Sequence, residues 1–268
     1  MLVDTHCHLN MMIKKEFDTP LTDAEIEKAK FIIQEAEAAS VYKIINVGTS
    51  VIESLNCIKL AKKFDNVWAT VGIHPNDLED NWKKQVSELK KLVAQKDDNK
   101  ICAIGEIGLD KHYPNYNINK QKNALKAQIE LALENDLAIV IHTRDAASET
   151  FEEIEEFNKD ISRAIIHCFS EDLSFAKQII EWGFCIGLGG TITYPNNKKV
   201  FEVAQTVSLK NIVLETDAPF LPPQEIRGKQ NNPAQIKTIA QFLSGSRGDS
   251  FEVVASTTTE NAKKVFRI

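Results

Sequence analysis

The chain has 268 residues, 43% of them hydrophobic, which suffices for one sizeable core or two smaller ones. A net charge of −6 excludes nucleic-acid binding through bulk positive charge, though not through a local basic rim. The five cysteines are odd in number with no Cys-x-x-Cys pair, an apolar run begins at residue 2, and no stretch is long enough to span a membrane, so we expect a cytoplasmic, soluble protein without disulfides, a cysteine zinc site or a signal peptide.

The first strand-length run, 2–7, leads into Asp4-Thr5-His6-Cys7-His8. Side chains alternate along a strand, so His6 and His8 share one face and Cys7 takes the other. A helical pattern follows over 23–39, with Ile26, Ala29, Ile33, Ala36 and Ala39 at near-helical spacing. Strand runs at 43–48 and 67–73 come next, the latter leading to His74-Pro75. The run 101–107 carries Glu106 between glycines. After a helical pattern over 119–136, the run 138–143 contains His142 near its end, with Arg144 two residues on. The run 163–168 contains His167 and precedes a helical pattern at 172–182. The run 184–188 leads into Gly189-Gly190-Thr191, and 212–216 leads through Glu215 to Asp217. Helical patterns at 233–243 and 250–266 close the chain.

Eight strands alternating with helices predict an α/β fold, a (β/α)8 TIM barrel forming one domain over 1–268. The alternative is a doubly wound open sheet. That fold usually carries a glycine-rich phosphate turn after its first strand, where this chain has His-Cys-His. In a barrel, the C-terminal strand ends converge on one rim. His6, His8, Glu106, His142, His167 and Asp217 all fall at such ends. A single histidine or carboxylate in that position more often makes a hydrogen bond than binds a metal, but with His74 after the third strand run, five of the chain's six histidines lie at such ends. Six ligands exceed the three that one catalytic zinc takes from protein. Two divalent ions (zinc, magnesium or manganese) sharing a carboxylate fit better. Asp4 and Glu215, each two residues before a ligand on the same strand face, are read as pointing inward below the metals and supporting the ligands rather than binding metal, orientation of a ligand imidazole being one way to do so. Cys7 and Cys168 are read as small packed hydrophobes.

The motifs Val3-Asp4-Thr5-His6-Cys7-His8-Leu9, Val71-Gly72-Ile73-His74-Pro75, Ile104-Gly105-Glu106-Ile107-Gly108-Leu109-Asp110, Val140-Ile141-His142-Thr143-Arg144-Asp145-Ala146, Ile166-His167-Cys168-Phe169-Ser170 and Leu214-Glu215-Thr216-Asp217-Ala218-Pro219-Phe220-Leu221 resemble the TatD family, metal-dependent deoxyribonucleases among the amidohydrolase-like barrels. The resemblance covers nearly the whole chain and keeps the family's motif order. It implies a two-metal hydrolase of DNA phosphodiesters. One ion would sit on His6, His8, Glu106 and Asp217, the other on Glu106, His142 and His167, with Glu106 as the bridge. Metal-activated water would attack phosphorus, with Asp217 accepting its proton or holding it in line. Two departures from the family pattern bear on loops: Glu171 stands where glycine is usual, and Asn232 where glutamate is usual.

Outside the ligands, His74 is read either as a rim residue touching a scissile phosphate or as a turn-stabilising group. His112 is expected to be solvent-exposed, and Asp110 and Asp145 to cap loops or helices. Arg144, Arg227 and Lys229 are the candidate phosphate contacts. The glycines at 187, 189 and 190, with Thr191, suit either a phosphate loop or a plain turn. The substrate expected is DNA, at ends or in single strands, met by a monomer with no membrane association. The rival readings are hydrolysis of amide, lactone or aminoacyl-ester bonds on the same barrel, and a non-catalytic binding protein that kept the fold. Barrels of the first kind often bridge their metals with a carboxylated lysine, where this chain has Glu106.

Overall fold

The computed structural model describes residues 1–268. Eight strands follow one another in chain order: β1 (Leu2–Cys7), β2 (Val41–Asn46), β3 (Val67–Val71), β4 (Ile101–Asp110), β5 (Ala138–Arg144), β6 (Ala164–Ile166), β7 (Cys185–Leu188) and β8 (Ile212–Leu214). Every neighbouring pair is parallel. The ring is completed just past β8, where the Asp217 N–H donates to the His6 carbonyl at 2.8 Å and the His8 N–H to the Ala218 carbonyl at 2.7 Å. The fold is a TIM barrel, as the alternation of elements predicts.

The helices are α1 (Leu9–Met12), α2 (Asp23–Ala38), α3 (Val51–Lys63), α4 (Trp82–Val93), α5 (Ile118–Glu134), α6 (Ala147–Glu155), α7 (Leu173–Glu181), α8 (Lys198–Thr206), α9 (Ile236–Arg247) and α10 (Phe251–Phe266). Their starts are written locally. Thr22 and Glu25 form a reciprocal capping box on α2, and Ser50, Asp172 and Ser250 each accept a backbone N–H at the head of α3, α7 and α10. None of the helices is long and apolar enough to cross a membrane.

The strands are covered on both faces, which is why they read as nearly unbroken apolar runs. Val3, Ile45, Val47, Ala138, Val140, Ile165 and Val213 meet in one buried cluster with Ala262, Val265 and Phe266 of α10. Side chains from strands far apart around the ring meet this way only inside the barrel, and α10 plugs that interior from one end. Val140, Ile165 and Val213 each stand two residues before His142, His167 and Glu215. Alternation therefore raises those three polar side chains into the interior above the cluster.

All eight expected strands are present, with shifted ends. The consequential shift is at β4, expected to stop at residue 107 but running to Asp110. Gly108, Leu109 and Asp110 continue pairing with His142, Thr143 and Arg144 of β5. Gly108 permits this closeness, because a Cβ there would lie 1.9 Å from the His142 carbonyl oxygen. Helices α1, α3, α4, α6 and α8 add to the five helical patterns read from the sequence. In α3 the buried face includes Glu53, Ser54 and Asn56, so its periodicity is masked by polar residues that bond to one another and to neighbouring loops.

Candidate metal centre

The end of β1 projects His6 and His8 towards one another, with their Nε2 atoms 3.3 Å apart. Glu106 Oε2 stands 3.4 Å from the His6 Nε2 and 3.7 Å from the His8 Nε2. Asp217 Oδ1 stands 3.7 Å and 3.4 Å from the same two atoms. Asp217 reaches this position from a left-handed backbone conformation, φ 55°, which aspartate tolerates better than most residues. A tetrahedral ion with ligands at about 2.0–2.2 Å spaces them roughly 3.3–3.6 Å apart. The donor set of two imidazoles and two carboxylates fits a divalent cation in both chemistry and spacing.

A second set adjoins the first through the other oxygen of Glu106. Oε1 lies 2.7 Å from the His142 Nδ1 and 2.8 Å from the His167 Nε2, and those nitrogens are 3.2 Å apart. His74 comes near as well, its Nε2 3.7 Å from Oε1. The two oxygens of one carboxylate thus face two different histidine groups, the arrangement a bridging ligand needs. The His6 and His167 rings stack at 3.9 Å between centroids, which packs the two sets together. The Nδ1 atoms of His6 and His167 are buried without a hydrogen-bond partner.

The electrostatics favour ionised carboxylates. Burial pushes the Glu106 carboxyl up, but His167, His142 and His6 around it hold it well below the usual range. Asp217 is likewise lowered, burial being outweighed by the hydrogen bond to His8 and the charges of His6 and His8. Burial would lower His8 too, yet Asp217 and Glu106 raise it to about 8. For His142, burial is overcome by Asp110 and Glu106, which raise it to about 9. His6 goes the other way, down to about 4, through burial and the neighbouring His167.

Beneath the ligands lie residues that hold them. Asp110 Oδ2 is 3.2 Å from the His142 Nε2, receives the Asn76 side-chain amide at 2.9 Å, and its Oδ1 accepts the His112 N–H at 2.8 Å. Asp110 does cap its own loop, as the sequence suggests, but it also fixes a ligand ring. The extended pairing of β4 that sets its position has no local signature. Glu215 Oε1 lies 3.8 Å from the His167 Nδ1 and accepts the Cys168 N–H. Burial raises this carboxyl to about 7. Gly187 makes room for it, since a Cβ there would meet Oε2 at 2.1 Å. Gly187 is therefore a strand residue backing Glu215, and Gly190 packs on the Leu221 carbonyl rather than heading an open phosphate loop.

Asp4 supports the ligands by another route than an imidazole. Its carboxylate meets no ligand imidazole. It accepts the Thr216 N–H at 3.0 Å, the Thr216 hydroxyl at 2.5 Å and the His6 backbone N–H at 3.2 Å. It ties β1 to the turn carrying Asp217 and supports the ligands through the main chain. Asn231, unnoticed in the sequence, does similar work: its buried amide donates to the Thr216 carbonyl at 2.8 Å and the Phe220 carbonyl at 2.7 Å. Its only signal was its place in the late Arg227–Pro233 stretch. Asn232, one of the two departures noted in the sequence, accepts the Ala234 N–H and caps a short 3₁₀ turn there.

The candidate phosphate contacts lie on the surface. Arg144 is exposed at the end of β5. Arg227 lies 4.6 Å over the Tyr194 ring, and Lys229 is exposed. His112 pairs with Asp145 at 3.0 Å on the exposed rim, joining the loops after β4 and β5. Cys7 is fully buried, and Cys168 is partly exposed beside Glu215.

A family model described as TatD related DNase matches residues 3–267. An uncharacterized metal-dependent hydrolase of Bacillus subtilis, YabD, is 35% identical, with 100% of both chains covered. Another from Escherichia coli, YcfH, is 30% identical over 100% of this chain and 96% of its own. The crystal structure of YjjV, a TatD homolog from Escherichia coli, superposes with a TM-score of 0.89 at 28% identity, covering 100% of this chain and 98% of that one.

Proposed function

The chain belongs to the TatD-related DNase family of metal-dependent hydrolases, and on that premise we propose that it cleaves phosphodiester bonds of DNA, as an exonuclease, with two divalent ions. The observation that carries the reading is the division of Glu106, whose Oε2 faces His6 and His8 while its Oε1 faces His142 and His167. Zinc, manganese or magnesium bound there would polarise a phosphoryl oxygen and lower the pKa of water.

The rest falls to the chain's own side chains. His6, His8 and Asp217 would hold one ion, His142 and His167 the other, and Glu106 would serve both. Asp217, kept ionised by its histidine neighbours, accepts the proton of the attacking water or holds that water in line with phosphorus. His74 is pushed down to about 3 by burial and by His142, so it is neutral at physiological pH. It is suited to donate a hydrogen bond to a phosphoryl oxygen without adding charge. Arg144, Arg227 and Lys229 form a sparse basic rim, which matches a net charge of −6 and a substrate engaged over few phosphates, as a strand end or a short single strand is. On this reading the protein acts as a monomer.

The test pairs metal analysis with a panel of single- and double-stranded DNA, RNA, and small esters and amides. We expect close to two ions per chain, cleavage of DNA with ends or single strands preferred, and loss of cleavage on chelation. Rapid hydrolysis of a small amide or ester with no cleavage of any DNA would reject the nuclease reading in favour of another hydrolysis on the same barrel.

A further inference from the structure

Beside the metal centre, outside the residues assigned to it, a cleft of about 340 Å³ opens between the loops after β3 and β4. Asn76, Tyr113, Asn115, Tyr116 and Lys120 are on its wall. A relay of polar contacts links its wall to the ligands. Asn76 donates to Asp110 at 2.9 Å, Asp110 meets His142 at 3.2 Å, and His142 meets Glu106 at 2.7 Å. The other edge of Asn76 returns to the centre too, since its backbone N–H donates to the His74 Nδ1 at 3.2 Å.

The two tyrosines are presented by a tight turn. The Tyr116 N–H donates to the Tyr113 carbonyl at 3.2 Å, and Pro114 occupies the second position, where its fixed φ suits such a turn. Tyr113 and Tyr116 stand at the two ends of the turn, so both rings leave the same short segment. They remain 55% and 43% exposed, so both rings are open to a ligand. The wall carries no carboxylate, and its one cation, Lys120, is paired with Asp80 at 2.7 Å. Such a wall suits a flat, uncharged group with hydrogen-bonding edges, set beside a phosphate.

We propose that this cleft is a nucleobase subsite. Tyr113 and Tyr116 stack on the base of a nucleotide flanking the scissile phosphate, and Asn115 offers an amide to its edge. The inference rests on the phosphodiesterase reading above and names residues that select the substrate. Aromatic stacking is tolerant of sequence, because every base has a π-face, so the subsite distinguishes a base from no base rather than one base from another.

The experiment uses the full chain, loaded with metal, and short single strands carrying either a base or an abasic residue at each end in turn. We expect removal of the base at one end to raise KM on the order of tenfold with a smaller change in kcat. Tyr113→Ala/Tyr116→Ala should erase that difference, and Tyr113→Phe/Tyr116→Phe, which keeps both rings, should restore it. In parallel, a strand with uncleavable linkages and the fluorescent base aminopurine at the same position should be quenched by the wild type and not by the alanine pair. No penalty for the abasic strand, or discrimination unchanged in the alanine pair, overturns the subsite. Failure to cleave any DNA while bis-nitrophenyl phosphate is hydrolysed overturns the nuclease reading instead, and the quenching measurement then still decides the cleft, because it needs no turnover.

Discussion

Asp110 Oδ2 meets the Nε2 of His142 at 3.2 Å, on the ring edge opposite the one that faces Glu106. A carboxylate behind a ligand histidine fixes its tautomer and its aim. Nδ1 is then the nitrogen free to take a metal. Asp110→Asn should weaken binding of one of two ions by roughly 10–100-fold and leave the other unchanged. Titration of metal-free protein followed by calorimetry reads this directly, and equal weakening of both ions would contradict it.

Glu106 and Glu215 should separate cleanly. Glu106→Ala removes the shared carboxylate, so both ions and all hydrolysis should be lost while the far-ultraviolet dichroism stays native. Glu215→Gln should retain metal with affinity reduced roughly 10–100-fold, because its carboxylate acts on the His167 side and the Cys168 main chain. Complete stripping of metal by Glu215→Gln would make it a ligand.

Metal uptake should release protons. In the metal-free protein His8 is raised to about 8 and His142 to about 9, so both carry a proton at pH 7, whereas an imidazole must be neutral to bind metal. Affinity should therefore climb as pH rises from 6 towards 9 and flatten above it. Calorimetry in buffers of different ionisation enthalpy counts the protons. A pH-independent affinity across that window would show that these histidines are already neutral.

Asn231→Ala should cost stability as well as activity. It leaves the carbonyls of Thr216 and Phe220 without a donor in a buried site, a loss of about 1–3 kcal/mol, and it loosens the turn that carries Asp217. A lowered melting temperature with reduced kcat is the expected pair of results. A native melting temperature would argue that water replaces the amide.

Binding to DNA should show a shallow salt dependence, with a slope corresponding to about two to four phosphate contacts. Lys229→Ala should flatten it by about one unit and weaken all sequences alike. A steep slope, or tight binding undiminished by a chelator, would reveal a more extended nucleic-acid surface.

The barrel was legible because its strands are largely buried on both faces, so apolar runs such as Ala138–Ile141 mark them, with the candidate ligands following towards the strand ends. The same logic picked out His6, His8, Glu106, His142, His167 and Asp217 as residues that one rim would gather. Three things depended on the tertiary structure. The sharing of Glu106 between two histidine groups, which the sequence offered only through the family resemblance, depends on where the β4 and β5 ends sit against β1. Asp110 became the partner of His142 because β4 pairs three residues beyond its apolar run, along a glycine that lets the strands touch. Asp4, whose spacing suggested a supporting place below the metals without naming its partner, ties Thr216 to the His6 backbone across the closing seam. Alternation along a strand is a local property and is written in the residues. Which atoms meet across strands far apart in the chain is set by register and barrel closure, which the sequence encodes only through the packing of the whole.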